Sequence, residues 1–289
     1  MPVLPRLVEA YTFEGYAVLS GLNPTHFKSF PGVPFTWIIR DGKLASSGLG
    51  ISVQEVYFFE CLLAALPPRP IYVIGNAMGF STLAIALAAP GSRVVAIDTG
   101  WTAHSLEGLE LTRRIAAREG LDVAALQGVS PNDVARTAME GAGAAAFGCA
   151  FIDGYHSNKQ VVKDFEAVKA VSAPDAICVF HDVHNGGLRP GLAAIAAKYP
   201  GFSSSLLEGT SSGIAVGTFG AFPSAVVAVL TAFSVPAVAR PVLETALSRW
   251  SRRRRIYRRR SLTKRLNVLR KLVGLKVRPL APKGLDGMM

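Results

Sequence analysis

Cysteine is scarce. Cys61, Cys149 and Cys178 are the three thiols in 289 residues, and no C-x-x-C pair occurs. An odd number without that spacing excludes a disulfide framework and a cysteine-bound zinc cluster. The expectation is three buried, reduced thiols. Charge is low as well, at 18% of residues against 50% hydrophobic ones. A chain this apolar can fill a sizeable core, which excludes a disordered protein. The 28 glycines follow no three-residue period, so a collagen-like chain is excluded too. There is no internal repeat, and the opening MPVLPRLVEAYTFEG lacks the basic start and apolar run of a signal peptide. Nor is there an obvious membrane span. No charged residue lies between Glu208 and Arg240, but Pro223, Pro236 and several Gly, Ser and Thr interrupt that stretch. Its apolar part, Ser224 to Val235, would make about 18 Å of helix against a hydrocarbon core of ~30 Å. A buried or interfacial helix is expected there, and a cytoplasmic location for the chain.

The net charge of +11 is unevenly placed. From Arg249 onward there are 15 Lys and Arg against one acid, Asp286, whereas the preceding residues carry 16 basic and 19 acidic groups. The tail mixes the runs Arg252–Arg255 and Arg258–Arg260 with Trp250, Ile256, Tyr257, Leu262, Leu266, Leu269, Leu272 and Val273. From Leu262 the apolar positions recur at three and four, as on one helix face. A basic amphipathic helix over 249–278 suits an anionic membrane surface at the inner face, nucleic acid or an acidic protein. Each basic group near an anionic bilayer contributes about 1 kcal/mol. The charge-free segment before the tail favours membrane over RNA. The organisation expected is an N-terminal cap at 1–51, a core at 52–220, an apolar helical segment at 221–248 and the basic tail at 249–289.

The core alternates apolar strands with helices. Ser52-Val-Gln-Glu55 is a capping box opening a helix that Pro67-Pro68 must stop. IYVIG (71–75), RVVAID (93–98), VAALQ (123–127), CAFID (149–153) and AICVFHD (176–182) read as buried strands, and SSSLLE and GIAVGTF as two more. Helices are expected at Phe80–Ala89, at Ser105–Glu119 with a Glu110–Arg114 pair, after Ser130-Pro131, and at Asn158–Val171. This pattern predicts an α/β fold with a mostly parallel sheet covered on both faces.

In such a sheet, ligands bind beyond the carboxyl ends of the strands. The first core strand runs into Gly75-Asn-Ala-Met-Gly79 directly before a helix, and the next ends in Asp98. Gly75 permits a tight turn, Gly79 a close approach of ligand to backbone, and Asp98 can accept both hydroxyls of a ribose. A dinucleotide fingerprint would need glycine where Ala77 stands, and no phosphate-cradling G-x-x-x-x-G-K-[ST] occurs. A nucleoside ligand without phosphates therefore fits best, which points to S-adenosylmethionine.

VIGNAMGFSTLAIALA, VVAIDTG, FIDGYHSNKQVVKDFEAV and ICVFHDV resemble the successive motifs of class I S-adenosylmethionine-dependent methyltransferases. More narrowly, they resemble the small-molecule O-methyltransferase-like branch whose fourth strand ends in D-G-x-H-S. The resemblance covers roughly residues 50 to 220. It implies a Rossmann-like, seven-stranded sheet with an antiparallel last strand, and methyl transfer to an acceptor oxygen. By position, Gly75, Asn76, Ala77, Gly79 and Ser81 would line the methionine part of the cofactor and Asp98 its ribose. Gln127 and Gly128 would flank the adenine, and Asp153 would border the cofactor. One departure is Val73, where many relatives have an acid.

Asp153, His156, His181, Asp182 and His184 cluster at the ends of the fourth and fifth core strands. A histidine can take an acceptor proton near neutral pH, and a metal can lower the hydroxyl pKa instead. His156, Asp153 and Asp182 are the expected catalytic set. Metal-dependent relatives carry an Asp ending strand four and a carboxylate-containing pair ending strand five. Asp153 and Asp182 match, and His181 is the third candidate ligand, for Mg²⁺ or Mn²⁺. The acceptor expected is a hydroxyl of a small molecule, sugar or lipid-linked glycan. The alternatives are an RNA methyltransferase recruited by the basic tail and a non-catalytic membrane-associated adaptor.

Overall fold

Alternate residues of the central strands face opposite apolar layers, and that alternation sets the architecture. The computed structural model describes residues 2–20, 35–45, 50–242, 245 and 266. Four parallel strands, β4 (Ile71–Ile74), β5 (Val94–Asp98), β6 (Val123–Gln127) and β7 (Phe147–Ile152), stand beside β8 (Ser172–Phe180), β9 (Phe202–Leu207) and β10 (Ile214–Phe219). The sheet order is β6-β5-β4-β7-β8-β10-β9. β8 is parallel to β7, while β10 runs antiparallel to both of its neighbours. Ile71, Val73, Val94, Ala96, Cys149, Phe151, Ile177 and Val179 face one layer. Tyr72, Ile74, Val95, Ile97, Ala150, Ile152, Cys178 and Phe180 face the other. A fully buried Val, Leu, Ile or Phe contributes about 1.5–3 kcal/mol, so two filled layers dominate stability. Val73 is fully buried between Ala96 and Phe151, where a carboxylate would have no water.

One layer is roofed by α1 (Val3–Phe13), α2 (Val53–Ala64), α3 (Phe80–Ala88) and α8 (Ser224–Phe233). Residues of α5 (Val134–Ala142), α6 (Asn158–Val171) and α7 (Arg189–Lys198) cover the other. The capping box at Ser52–Glu55 forms as expected. α4 (Ala103–Glu119) starts two residues before the expected Ser105, because Thr102 and Ser105 make a second capping box. α5 starts at Val134 rather than after Ser130, with Asp133 as its N-cap. Glu110 pairs with Arg113 instead of Arg114. Arg114 reaches Glu14, just past α1, at 2.8 Å. A separate three-stranded antiparallel sheet, β1 (Ala17–Leu19), β2 (Trp37–Arg40) and β3 (Lys43–Leu44), follows α1.

The chain divides into two units, Met1–Ser234 and Val235–Met289. In the second, the described part contains a 3₁₀ turn at Ala237–Ala239. The amphipathic helix expected over 249–278 lies outside the described residues, apart from Leu266.

Candidate active site

The carboxyl ends of β4, β5, β6 and β7 open into a cavity of about 640 Å³. It sits at the reversal of strand order beside β4. Gly75 leaves β4 with φ 97°, and Ala77 follows at φ 45°. The Ala77 N–H donates to Asp98 Oδ2 at 2.8 Å, so the acid ending β5 steadies the loop while facing the cavity. Gly75, Asn76, Ala77, Ser81, Asp98, Gly128 and Asp153 all line this space.

Two expected cofactor residues act differently. Gly79 caps α3 at φ 85°, and a Cβ there would lie 2.0 Å from Thr112 Oγ1. Its bareness lets α3 meet α4 rather than letting a ligand approach. The Gln127 amide donates to the Thr99 carbonyl at 3.1 Å, leaving Gly128, Val129 and Ser130 on the wall. The Asn76 side chain also turns inward. It accepts from Thr82 Oγ1 at 2.9 Å and donates to Thr112 Oγ1 at 3.1 Å, so its backbone is what borders the cavity. Tyr11 of α1 donates to the Met78 carbonyl at 2.7 Å and clamps the same loop from the N-terminal side.

Beyond Gly128 the wall becomes polar. Asp164 accepts from Ser130 Oγ and, at 2.7 Å, from Gln160 Nε2. Burial pushes its carboxyl above the usual range. Opposite, Ile38, Ile51, Met78 and Phe80 are apolar, and Trp101 and Tyr155 are exposed lining residues.

Asp153 also belongs to a second group of side chains. Its Oδ1 lies 3.2 Å from His156 Nε2 and 3.0 Å from His181 Nδ1. His156 Nδ1 lies 3.3 Å from Asp182 Oδ2, so this imidazole bridges the two acids. His181 Nδ1 is 3.6 Å from Asp182 Oδ1, and Asp182 adopts φ 54° to face inward. Val183 turns away into the core. His184, the third histidine of the cluster in sequence, is not joined to Asp153 or Asp182 by any described ion pair, and burial lowers its pKa.

The sequence reading missed Glu55 at this site. It is fully buried and accepts from Ser52 N at 2.8 Å, Ser212 N at 3.0 Å and Ser212 Oγ. Its Oε2 lies 3.3 Å from His181 Nε2. The angle there is too poor for a hydrogen bond, so Nε2 is buried without one. A capping-box glutamate normally serves its helix end alone, so its sequence position carries no sign of this second task.

Electrostatics follow from these contacts. Burial disfavours a charged His181, yet the Asp153 and Glu55 carboxylates raise its pKa well above the ordinary value. Burial would likewise raise Asp153 and Glu55, and the facing His181 charge holds both below the usual carboxylate range. The hydrogen bond to Asp153 raises His156.

The donor set fits a divalent cation. Asp153, His181 and Asp182 each offer an atom within 4.8 Å of the others. Glu55 sits by the far nitrogen of His181, where a carboxylate orients a metal-binding imidazole.

Residues 73–183 match the family described as a methyltransferase domain. No curated protein matches the chain. Among solved structures, a cofactor-bound protein from MTB shares 19% identity at TM-score 0.50, over 76% of this chain and 90% of its own. A proposed O-methyltransferase from Klebsiella pneumoniae shares 17% at TM-score 0.50, over 76% and 91%. The Bacillus cereus O-methyltransferase in complex with SAH shares 20% at TM-score 0.48, over 58% and 82%. The fold is α/β and Rossmann-like, and residues 73–183, from β4 to just past β8, are the part that resembles a methyltransferase domain.

Proposed function

We propose that this chain methylates a hydroxyl of a small molecule, a sugar or a lipid-linked glycan. The carrying observation is Asp153, which lines the cofactor-sized cavity and also holds His156 and His181. A nucleoside end and a proton-accepting end thus share one wall. A pocket of this volume suits a ligand the size of S-adenosylmethionine.

Asp98 would accept the ribose hydroxyls, with Gly128 to Ser130 flanking the base. Gly75, Ala77 and Ser81 would border the methionine part. S-adenosylmethionine supplies an electrophilic methyl group on a sulfonium. The acceptor oxygen must lie in line with it, and its proton must leave. The acceptor hydroxyl would take the place of Asp182 beside His156 Nδ1 and give its proton to that nitrogen, leaving an imidazolium held by Asp153 at Nε2. Glu55 and Asp153 keep His181 charged, which balances the clustered acids. Asp153, Asp182 and, with its proton released, His181 would hold Mg²⁺ or Mn²⁺, whose charge would replace the imidazolium's and would lower the pKa of a coordinated hydroxyl.

Calorimetric titration with S-adenosylmethionine tests the reading, using wild type and Asp98→Ala with and without Mg²⁺ or Mn²⁺. Micromolar binding weakened at least tenfold by Asp98→Ala is expected. Absence of binding by the wild type under every condition would leave the fold without this activity.

A further inference from the structure

The helix after the sheet is not explained by methyl transfer. Between Glu208 and Arg240 the chain has no charged residue. Within that stretch α8 commits Val226 and Leu230 to the core, while Ala225, Val227, Ala228, Thr231 and Ala232 are exposed. Exposed Tyr57 of α2 stands beside its C-terminal Phe233, with ring centroids 6.0 Å apart. Onward, Val238 is 89% exposed and Val242 71%. Of Ser224–Val242, 11% is buried. An apolar segment left in water, here with Arg240 as its one charge, is an interaction surface by default.

Charge identifies the partner. From Arg249 onward the sequence carries 15 Lys and Arg against one acid, interleaved with Trp250, Ile256 and Tyr257, while the rest of the chain is slightly acidic. Apolar insertion followed by a polybasic stretch is the pair of signals that holds a protein on an anionic bilayer, since either alone binds weakly. Nucleic acid would use the basic residues but would have no use for the apolar segment. Ser224–Val242 is long and apolar enough to cross a membrane by length and composition, but its backbone is not one continuous helix. α8 ends at Phe233, Ser234 is extended, and Pro236 precedes the 3₁₀ turn. Ten helical residues reach about 15 Å, half of a hydrocarbon core. We propose that Ser224–Val242 lies in the interface of an anionic lipid surface, secured by the basic stretch that follows it.

Flotation of the full-length protein with vesicles decides the matter. Vesicles rich in phosphatidylglycerol should carry the protein and vesicles of phosphatidylcholine alone should not. Salt at about 1 M should release most of it. The double variant Val227→Asp/Val238→Asp and the quadruple variant Arg252→Ser/Arg253→Ser/Arg254→Ser/Arg255→Ser should each lower vesicle affinity, the latter on the order of a thousandfold. Both should bind S-adenosylmethionine as the wild type does, which shows they are folded. Failure to float with anionic vesicles, or equal flotation with neutral ones, overturns the proposal. So does full vesicle binding by the valine variant. If that variant is also displaced from vesicles by polyuridylate, the basic stretch serves nucleic acid instead.

Discussion

His156 and Glu55 make opposite demands on protons, and each has a measurable signature. Protonated His156 cannot accept from a hydroxyl. Its hydrogen bond to Asp153 and the nearby Asp182 charge hold its pKa above the ordinary 6.5 against partial burial. The acid limb of kcat/KM should therefore lie above pH 6.5, and Asp182→Asn should move it down. A limb that stays in place in that variant would remove His156 from the role of base. Glu55→Gln leaves a buried His181 charge short of a partner, and a loss of about 3 kcal/mol is expected from urea unfolding. Glu55 has a depressed folded pKa, so its contribution is present above the ordinary 4.5 and lost as pH falls through the lower value. His181 is raised, so its share is fully present below 6.5 and lost as pH rises through its folded value. The difference between wild type and variant should peak between those two ordinary values. A difference that is flat with pH would mean that Glu55 serves only as a cap.

At the scale of elements, the Gly75–Gly79 loop is held by helices rather than by its own conformational preferences. Ala77 has positive φ, and its carbonyl lies so close to α4 that a Cβ on Gly108 would sit 1.8 Å from it. Gly108→Ala must push α4 and the loop apart, a strain of roughly 1–3 kcal/mol. The expected result is a tenfold or greater loss of S-adenosylmethionine affinity, measured by calorimetry, with the far-UV spectrum unchanged. Wild-type affinity in that variant would show that the loop moves freely. Most of the strands were legible one by one because they are short apolar runs between turn residues. Val3–Phe13 and Arg189–Lys198 were not read as helices. Their apolar faces are defined by what they pack against, and the first begins at Pro2, which offers no side-chain cap.

Across the whole molecule, the sheet separates two apolar layers, and Cys149 and Cys178 lie in different ones on paired strands. Burial pushes both thiols up to about 12. Neither can react with a thiol reagent at neutral pH unless the domain opens. Cys61, partly exposed on α2, should label quickly, and the other two should label together and slowly. Cofactor present at 100 times its Kd should slow that second phase about a hundredfold, because binding stabilises the closed state by mass action. Labelling of Cys178 alone would reveal local opening of the α5–α7 side.

Sequence alone determined the α/β class, the seven core strands and the positions of Gly75, Asp98, Asp153 and Asp182. These follow from short apolar runs bounded by turn residues and from acids standing at strand ends, both of which are local properties. What Gly79 is for, which way Asn76 and Gln127 point, and the entry of Glu55 into the histidine cluster were decided by tertiary packing. Glu55 and His181 are 126 positions apart, and only the packing of α2 over β7 and β8 brings their charges to 3.3 Å. The end of α8 at Phe233 was likewise set in three dimensions, because a run of apolar residues does not by itself say where its helix stops.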